Sequence, residues 1–308
     1  MSDDPLDRLA AEEDWRQRAK SVEAEVAKSQ RKARLSRQFS RGPRLRSVGP
    51  APVRRRGRIS WLFLALIAVF LVTGTALWAG AGPVKFTVFL FVLSGWLITL
   101  CLHEFSHALT AHRGGDDTIV AKGYLRLDPR SYGHPLLTVV LPLIFLILGG
   151  LPLPGGAVQI ETHRLRNRLR DALVSAAGPA VNIAAAIVLL AIVGIFGPWA
   201  IFSLAEPQAA FWSALTFLAY LQVATAILNL IPIPGLDGYG IIEPYLPSST
   251  RYTGNKIKPF GVLGLFVLLM IPPVGQAFGE FCGLFVDLAG APINGDFYGA
   301  ILFRFWKL

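Results

Sequence analysis

His103, Glu104 and His107 fall within one strongly apolar stretch, Leu97 to Arg113, of a 308-residue chain. On a helix, residues four apart share a face and Glu104 sits about 100° round from His103, so two imidazoles and a carboxylate can converge on one metal ion and its bound water. This is the HExxH pattern, in which the imidazoles hold zinc and the glutamate acts as base in peptide hydrolysis. The blander reading is a pair of hydrogen-bonded histidines at a helix end. The setting argues against it, because ionisable groups in an apolar segment are costly and are usually kept for function.

A catalytic zinc takes three protein ligands and leaves one position open. Asp237 follows Ile231-Pro232-Ile233-Pro234-Gly235-Leu236, a rigid non-helical corner, and is the carboxylate expected as third ligand. Taken alone, Leu236-Asp237-Gly238 reads more readily as a turn with a capping Asp, and only HExxH on the same membrane side reverses that preference. Gly178-Pro179-Ala180-Val181-Asn182 carries two readings. In one, Gly and Pro begin a helix and Asn182 bonds to a neighbouring helix. In the other, Asn182 and Asn229 donate hydrogen bonds to a substrate backbone or a developing oxyanion. His112, His134 and His163 lie in or beside loops and are left out of the metal site. Cys101 and Cys282, in apolar surroundings far apart in sequence, read as packing rather than as a disulfide or a thiolate site.

The elements that must position these groups follow from composition. With 53% hydrophobic residues, 16% charged and a mean hydropathy of +0.49, the chain is too apolar for an ordinary soluble domain and reads as an all-α polytopic membrane protein. Residues 1–58 hold 16 Lys and Arg against 8 Asp and Glu, most of the net charge of +10. They read as a cytoplasmic, mostly disordered basic tail with a short surface helix. Arg54, Arg55, Arg56 and Arg58 directly precede the first apolar run, which places the N-terminus in the cytoplasm. Contact with membrane lipids explains this basic run more simply than nucleic-acid binding, so no nucleic-acid partner is expected. The first apolar run begins near Ser60, too late for a cleaved signal peptide.

Spans are expected at about 60–80, 84–111, 172–196, 210–231 and 259–274, within a core of residues 59–275. Between them, 114–133 fits a small β-hairpin-like or irregular loop near the metal site. The apolar segment 135–150 is short, contains Pro142 and ends in Gly149-Gly150. Reading it as re-entrant keeps the following Arg164, Arg166, Arg168 and Arg170 in the cytoplasm. That assignment also puts Asp237 on the membrane side of His103 and His107. Residues 276–308 are expected as an interfacial or short-span segment, giving about five to six transmembrane helices.

These residues resemble a known family. HExxH in one span, Gly-Pro-x-x-Asn in the next and Asn-x-x-Pro-x-Pro-x-x-Asp-Gly after that look like the site-2 protease family of intramembrane zinc metalloproteases, in a compact prokaryotic type. The shared motifs spread over roughly residues 95–245, and His107-Ala108 followed by Gly115-Asp116 continues the first of them. The resemblance implies Zn2+ as cofactor and cleavage of peptide bonds within or next to transmembrane helices of other membrane proteins, in a prokaryotic plasma membrane. The chain departs from better-known members in three ways: no stretch suits an inserted PDZ domain, Gly235 stands where proline is common, and the Gly149–Gly156 loop lacks a basic residue. The alternative is a non-enzymatic metal-binding membrane protein, a transporter or a chaperone-like binder. A transporter would be expected to show several intramembrane ligand sets or internal repeats, and the sequence offers one set and no convincing repeat.

Overall fold

The structure, a computed structural model, describes residues 15–16, 20–32, 59–132, 159–206 and 208–306. The re-entrant segment expected over 135–150 lies outside the described residues, as do His134 and most of the tail. The chain divides into two units, residues 1–53 and 54–308. In the first, residues 20–32 form an exposed helix, α1.

The second unit is all α-helical among its described residues, with four helices long and apolar enough to cross a membrane. These are α2 (Trp61–Trp78), α3 (Val84–Gly114), α5 (Arg168–Phe196) and α6 (Ala209–Leu230). Ser60 caps α2 by accepting from the backbone N–H of Leu62, and Asn167 caps α5 by accepting from that of Arg170. α3 packs against α2, α5 and α6 around a core that includes Val88, Phe91, Val92, Trp96, Leu218 and Leu221. The apolar stretch of α6 is 83% buried, against 22% for those of α2 and α5, so α6 is the central helix of the set.

After Asp237 come α7 (Asp237–Ile242), α8 (Ser248–Leu269), α9 (Pro272–Leu288) and α10 (Gly295–Phe303). Pro272 and Pro273 start α9, and the apolar end of α8 meets it at 92°. One apolar run in the sequence is thus shared by two helices. α10 packs on α6 and α3 through Leu302 and Phe303.

One expectation is corrected. Residues 118–122 form a helical turn, α4 (Thr118–Lys122), and Tyr124–Arg126 a 3-10 turn, so the β-hairpin-like loop is not there. The reason is Asp116. One carboxylate oxygen accepts from the N–H of Thr118 at 3.0 Å and from its hydroxyl at 2.6 Å, which nucleates a turn despite the β-branched Ile119 and Val120. The other accepts from the N–H of Glu161 at 2.9 Å, tying the end of α3 to the segment that leads into α5. The N–H of Arg166 bonds the carbonyl of Gly114 at 3.1 Å in the same joint.

Asp116 is fully buried in this joint. Burial works against its charge, but the hydrogen bonds from Thr118 and Glu161 outweigh it and hold the carboxyl below its ordinary value of 3.8. A depressed carboxyl contributes stability that is complete above the unfolded value and is lost as pH falls through the folded one. Asp116→Ala is expected to cost about 1–3 kcal/mol by stranding three donors. It should also flatten the acid side of the stability profile below about pH 4, as read by thermal unfolding in detergent micelles.

Candidate metal centre

α3, α5 and α6 run up, down and up again, so the C-terminal part of α3, the N-terminal part of α5 and the chain leaving α6 meet at one end of the bundle. His103 and His107, one turn apart on α3, are both buried and bring their Nε2 atoms to 3.1 Å from each other. Asp237 reaches them from beyond α6. Its Oδ2 lies 3.2 Å from Nε2 of His103 and its Oδ1 3.4 Å from Nε2 of His107. Among the described residues, these are the three metal-capable side chains whose ligand atoms gather within 4.8 Å.

The corner that delivers Asp237 is built by its own sequence. Pro232 and Pro234 cannot continue α6, and Gly235 takes φ +105°, a conformation closed to proline and strained for any residue with a Cβ. The glycine at this position therefore sets the bend that starts α7 at Asp237.

The other imidazole nitrogens determine what the facing atoms are. Nδ1 of His107 lies 2.7 Å from the carbonyl of Val174, which can only accept, so Nδ1 carries the proton and Nε2 a lone pair. Nδ1 of His103 lies 2.6 Å from Oδ1 of Asn182 and donates to it in the same way. With both imidazoles neutral, two nitrogen lone pairs and a carboxylate face one another, and N, N and O donors at this spacing suit zinc.

α5 presses its backbone onto this centre. Gly178 lies so close that a Cβ there would fall 2.5 Å from Nε2 of His103 and closer still to that of His107. Gly178 and Pro179 thus sit inside a helix that begins ten residues earlier, not at its start. Pro179 has no N–H to offer the carbonyl of Ser175 one turn earlier, next to the Val174 carbonyl that His107 uses.

Glu104 is buried beside the histidines and lines, with them, a cavity of about 440 Å³. Asn182, Thr225 and Asn229 line its deep part, and the exposed Arg251 and Asn255 of α8 its outer part. Lys258 and Glu243 pair across the wall at 2.7 Å. Every residue singled out from sequence as a site candidate therefore borders one cavity. Asn182 stands between His103 and Gln222, donating to Oε1 of Gln222 at 2.9 Å, while Asn229 faces the cavity from the last turn of α6. Sequence reasoning passed over Gln222, although a fully buried amide in an apolar helix is itself a signal. It stands seven residues before Asn229, on the same face of α6.

No family model matches the chain, and no solved structure matches it. Among curated proteins it is 41% identical over 261 residues to a Mycolicibacterium smegmatis protein named "Putative zinc metalloprotease Rip2", an alignment covering 83% of this chain and 97% of that one. A Mycobacterium tuberculosis protein of the same name is 42% identical over 268 residues, covering 85% and 96%. A Bacillus subtilis protein named "Putative zinc metalloprotease YwhC" is 30% identical over 190 residues, covering 58% and 80%.

Proposed function

We propose, from the premise that the chain belongs to the site-2 protease family, that it is a zinc-dependent endopeptidase cleaving peptide bonds within or next to the transmembrane helices of other membrane proteins. The observation that carries this reading is the convergence of three acceptor groups, His103, His107 and Asp237, beside a buried glutamate in a cavity enclosed by membrane-spanning helices. Zinc held by those three side chains would supply Lewis acidity to the attacking water and the peptide carbonyl.

The chain's own residues do the rest. Glu104 takes a proton from the attacking water and returns it to the departing amine. Asn182 and the carbonyl of Val174 hold the two imidazoles in the orientation that points both Nε2 atoms inward. Asn229, on the cavity wall, is placed to donate to a peptide carbonyl. A volume of about 440 Å³ has room for a short extended stretch of peptide but is tight for a helix about 10 Å wide, so the substrate must unwind locally to enter.

The membrane side follows from charge. Ser60, at the start of α2, bonds through its N–H to the carbonyl of Arg126 at 3.0 Å, so the chain enters the bundle at the metal end. Arg54 to Arg58 precede that point, and Arg164, Arg166, Arg168 and Arg170 lie at the same end. Both clusters favour the cytoplasmic face of a prokaryotic plasma membrane, with the N-terminus inside and the basic tail near anionic lipid.

The test is a quantitative comparison of protein N-termini in membranes from cells carrying the wild-type chain or its Glu104→Gln variant. New termini inside or within a few residues of transmembrane segments are expected with the wild type alone. Identical profiles under several stress conditions, with zinc in both proteins, would overturn the reading.

A further inference from the structure

Asn182 can serve His103 only if its oxygen, not its nitrogen, faces Nδ1, and nothing in the two residues themselves decides this. The decision lies elsewhere, in a chain of hydrogen bonds that starts and ends on α3. The hydroxyl of Thr99 donates to the carbonyl of Trp96 at 2.8 Å. With its one proton spent, the Thr99 oxygen can only accept, and it does so from Nε2 of Gln222 at 2.9 Å. Oε1 of Gln222 must then face away from Thr99, toward Asn182, where it accepts from Nδ2 at 2.9 Å. Oδ1 of Asn182 is left toward His103, at 2.6 Å from Nδ1. The four bonds are mutually consistent, and the chain is anchored on a backbone carbonyl that has no donor form.

We infer that Gln222 is a positioning residue for the metal centre, acting through Asn182 to keep the proton of His103 on Nδ1 and its lone pair on Nε2. Gln222 and Asn182 are buried on α6 and α5, 0% and 2% exposed, which strengthens the bond between the two amides. Without Gln222, the Asn182 amide is free to turn and present its NH2 group to Nδ1. The imidazole would then carry its proton on Nε2, the atom required for zinc. This inference rests on the zinc-site reading above but not on proteolysis, and its test reads metal affinity directly.

The experiment titrates purified full-length protein in detergent with zinc against a chromophoric chelator. Gln222→Leu fills the same space without hydrogen bonds and is expected to weaken zinc binding about 10- to 100-fold, the usual range for second partners of metal ligands. Gln222→Glu should stay within about threefold of wild type, because a carboxyl at this position accepts from Asn182 whether ionised or protonated. In an Asn182→Asp background both side-chain oxygens accept, no orientation is needed, and Gln222→Leu should cost less than about threefold. Where a peptide substrate is at hand, Gln222→Leu should lower kcat and leave KM in place. Wild-type zinc affinity in Gln222→Leu would overturn the proposal. So would equal losses from that substitution in the wild-type and Asn182→Asp backgrounds, since that outcome marks simple packing damage. If Gln222→Leu does not fold, Gln222→Met takes its place in both backgrounds with the same expected losses, and equal losses in the two backgrounds count against the inference.

Discussion

Purified Glu104→Gln protein is expected to bind one zinc ion per chain as tightly as wild type and to cleave a peptide substrate about 10²- to 10⁴-fold more slowly, the usual worth of a positioned general base. The separation follows from geometry. The ligand atoms within 4.8 Å of one another belong to His103, His107 and Asp237, and Glu104 lines the cavity beside them without being one of the three. Glutamine keeps the shape and loses the capacity to hold a proton. Zinc content by elemental analysis and the rate of cleavage in the same micelles check both halves. Loss of zinc from the variant would move Glu104 into the ligand set, and retention of the rate would remove it from the mechanism.

Gly178→Ala should have an effect of comparable size by the opposite route, through the metal. A Cβ at this position would stand 2.5 Å from Nε2 of His103 and inside contact with Nε2 of His107, in the place the imidazoles need. Either α5 withdraws from α3, stretching the bonds from Asn182 and Val174, or the rings swing out of convergence. Both moves misplace ligands by an ångström or so, and zinc affinity is expected to fall by about 100-fold or more, with cleavage falling alongside. Gly264→Ala is the matched control, since a Cβ there meets nothing within 4 Å. Normal zinc binding by the Gly178→Ala protein would show that α5 does not press on the centre.

The metal trio was legible in the sequence because each member announces itself locally or by counting spans. His103 and His107 carry their own spacing, and Asp237 followed from counting spans once residues 135–150 were read as re-entrant. Asn182 was legible as a polar residue in a span, but not its partner, since a hydrogen bond between α3 and α5 depends on helix rotation, which apolar residues on all sides leave undetermined. Gln222 was missed for the same reason: its role exists only once Thr99 and Asn182 are brought to it from two other helices. The loop after α3 was misread because Ile119 and Val120 favour strand locally, whereas the carboxylate of Asp116 imposes a turn through bonds to Thr118 and to a residue forty-five positions away. The long apolar run near residue 270 concealed a break, since two prolines that end one span equally begin another helix at a steep angle.

The order in which the ligands appear along the chain bears on how such an enzyme is made. His103 and His107 leave the ribosome together, but Asp237 emerges only after two further membrane spans, α5 and α6, have been synthesised and inserted. Until then the nascent chain offers two imidazoles, without the glycine backbone of α5 that packs on them or the carboxylate that completes them, and it holds zinc weakly. On the proposed reading, the ligand set is therefore complete only once α5 and α6 have both been made, so hydrolysis cannot begin while the first two spans stand alone.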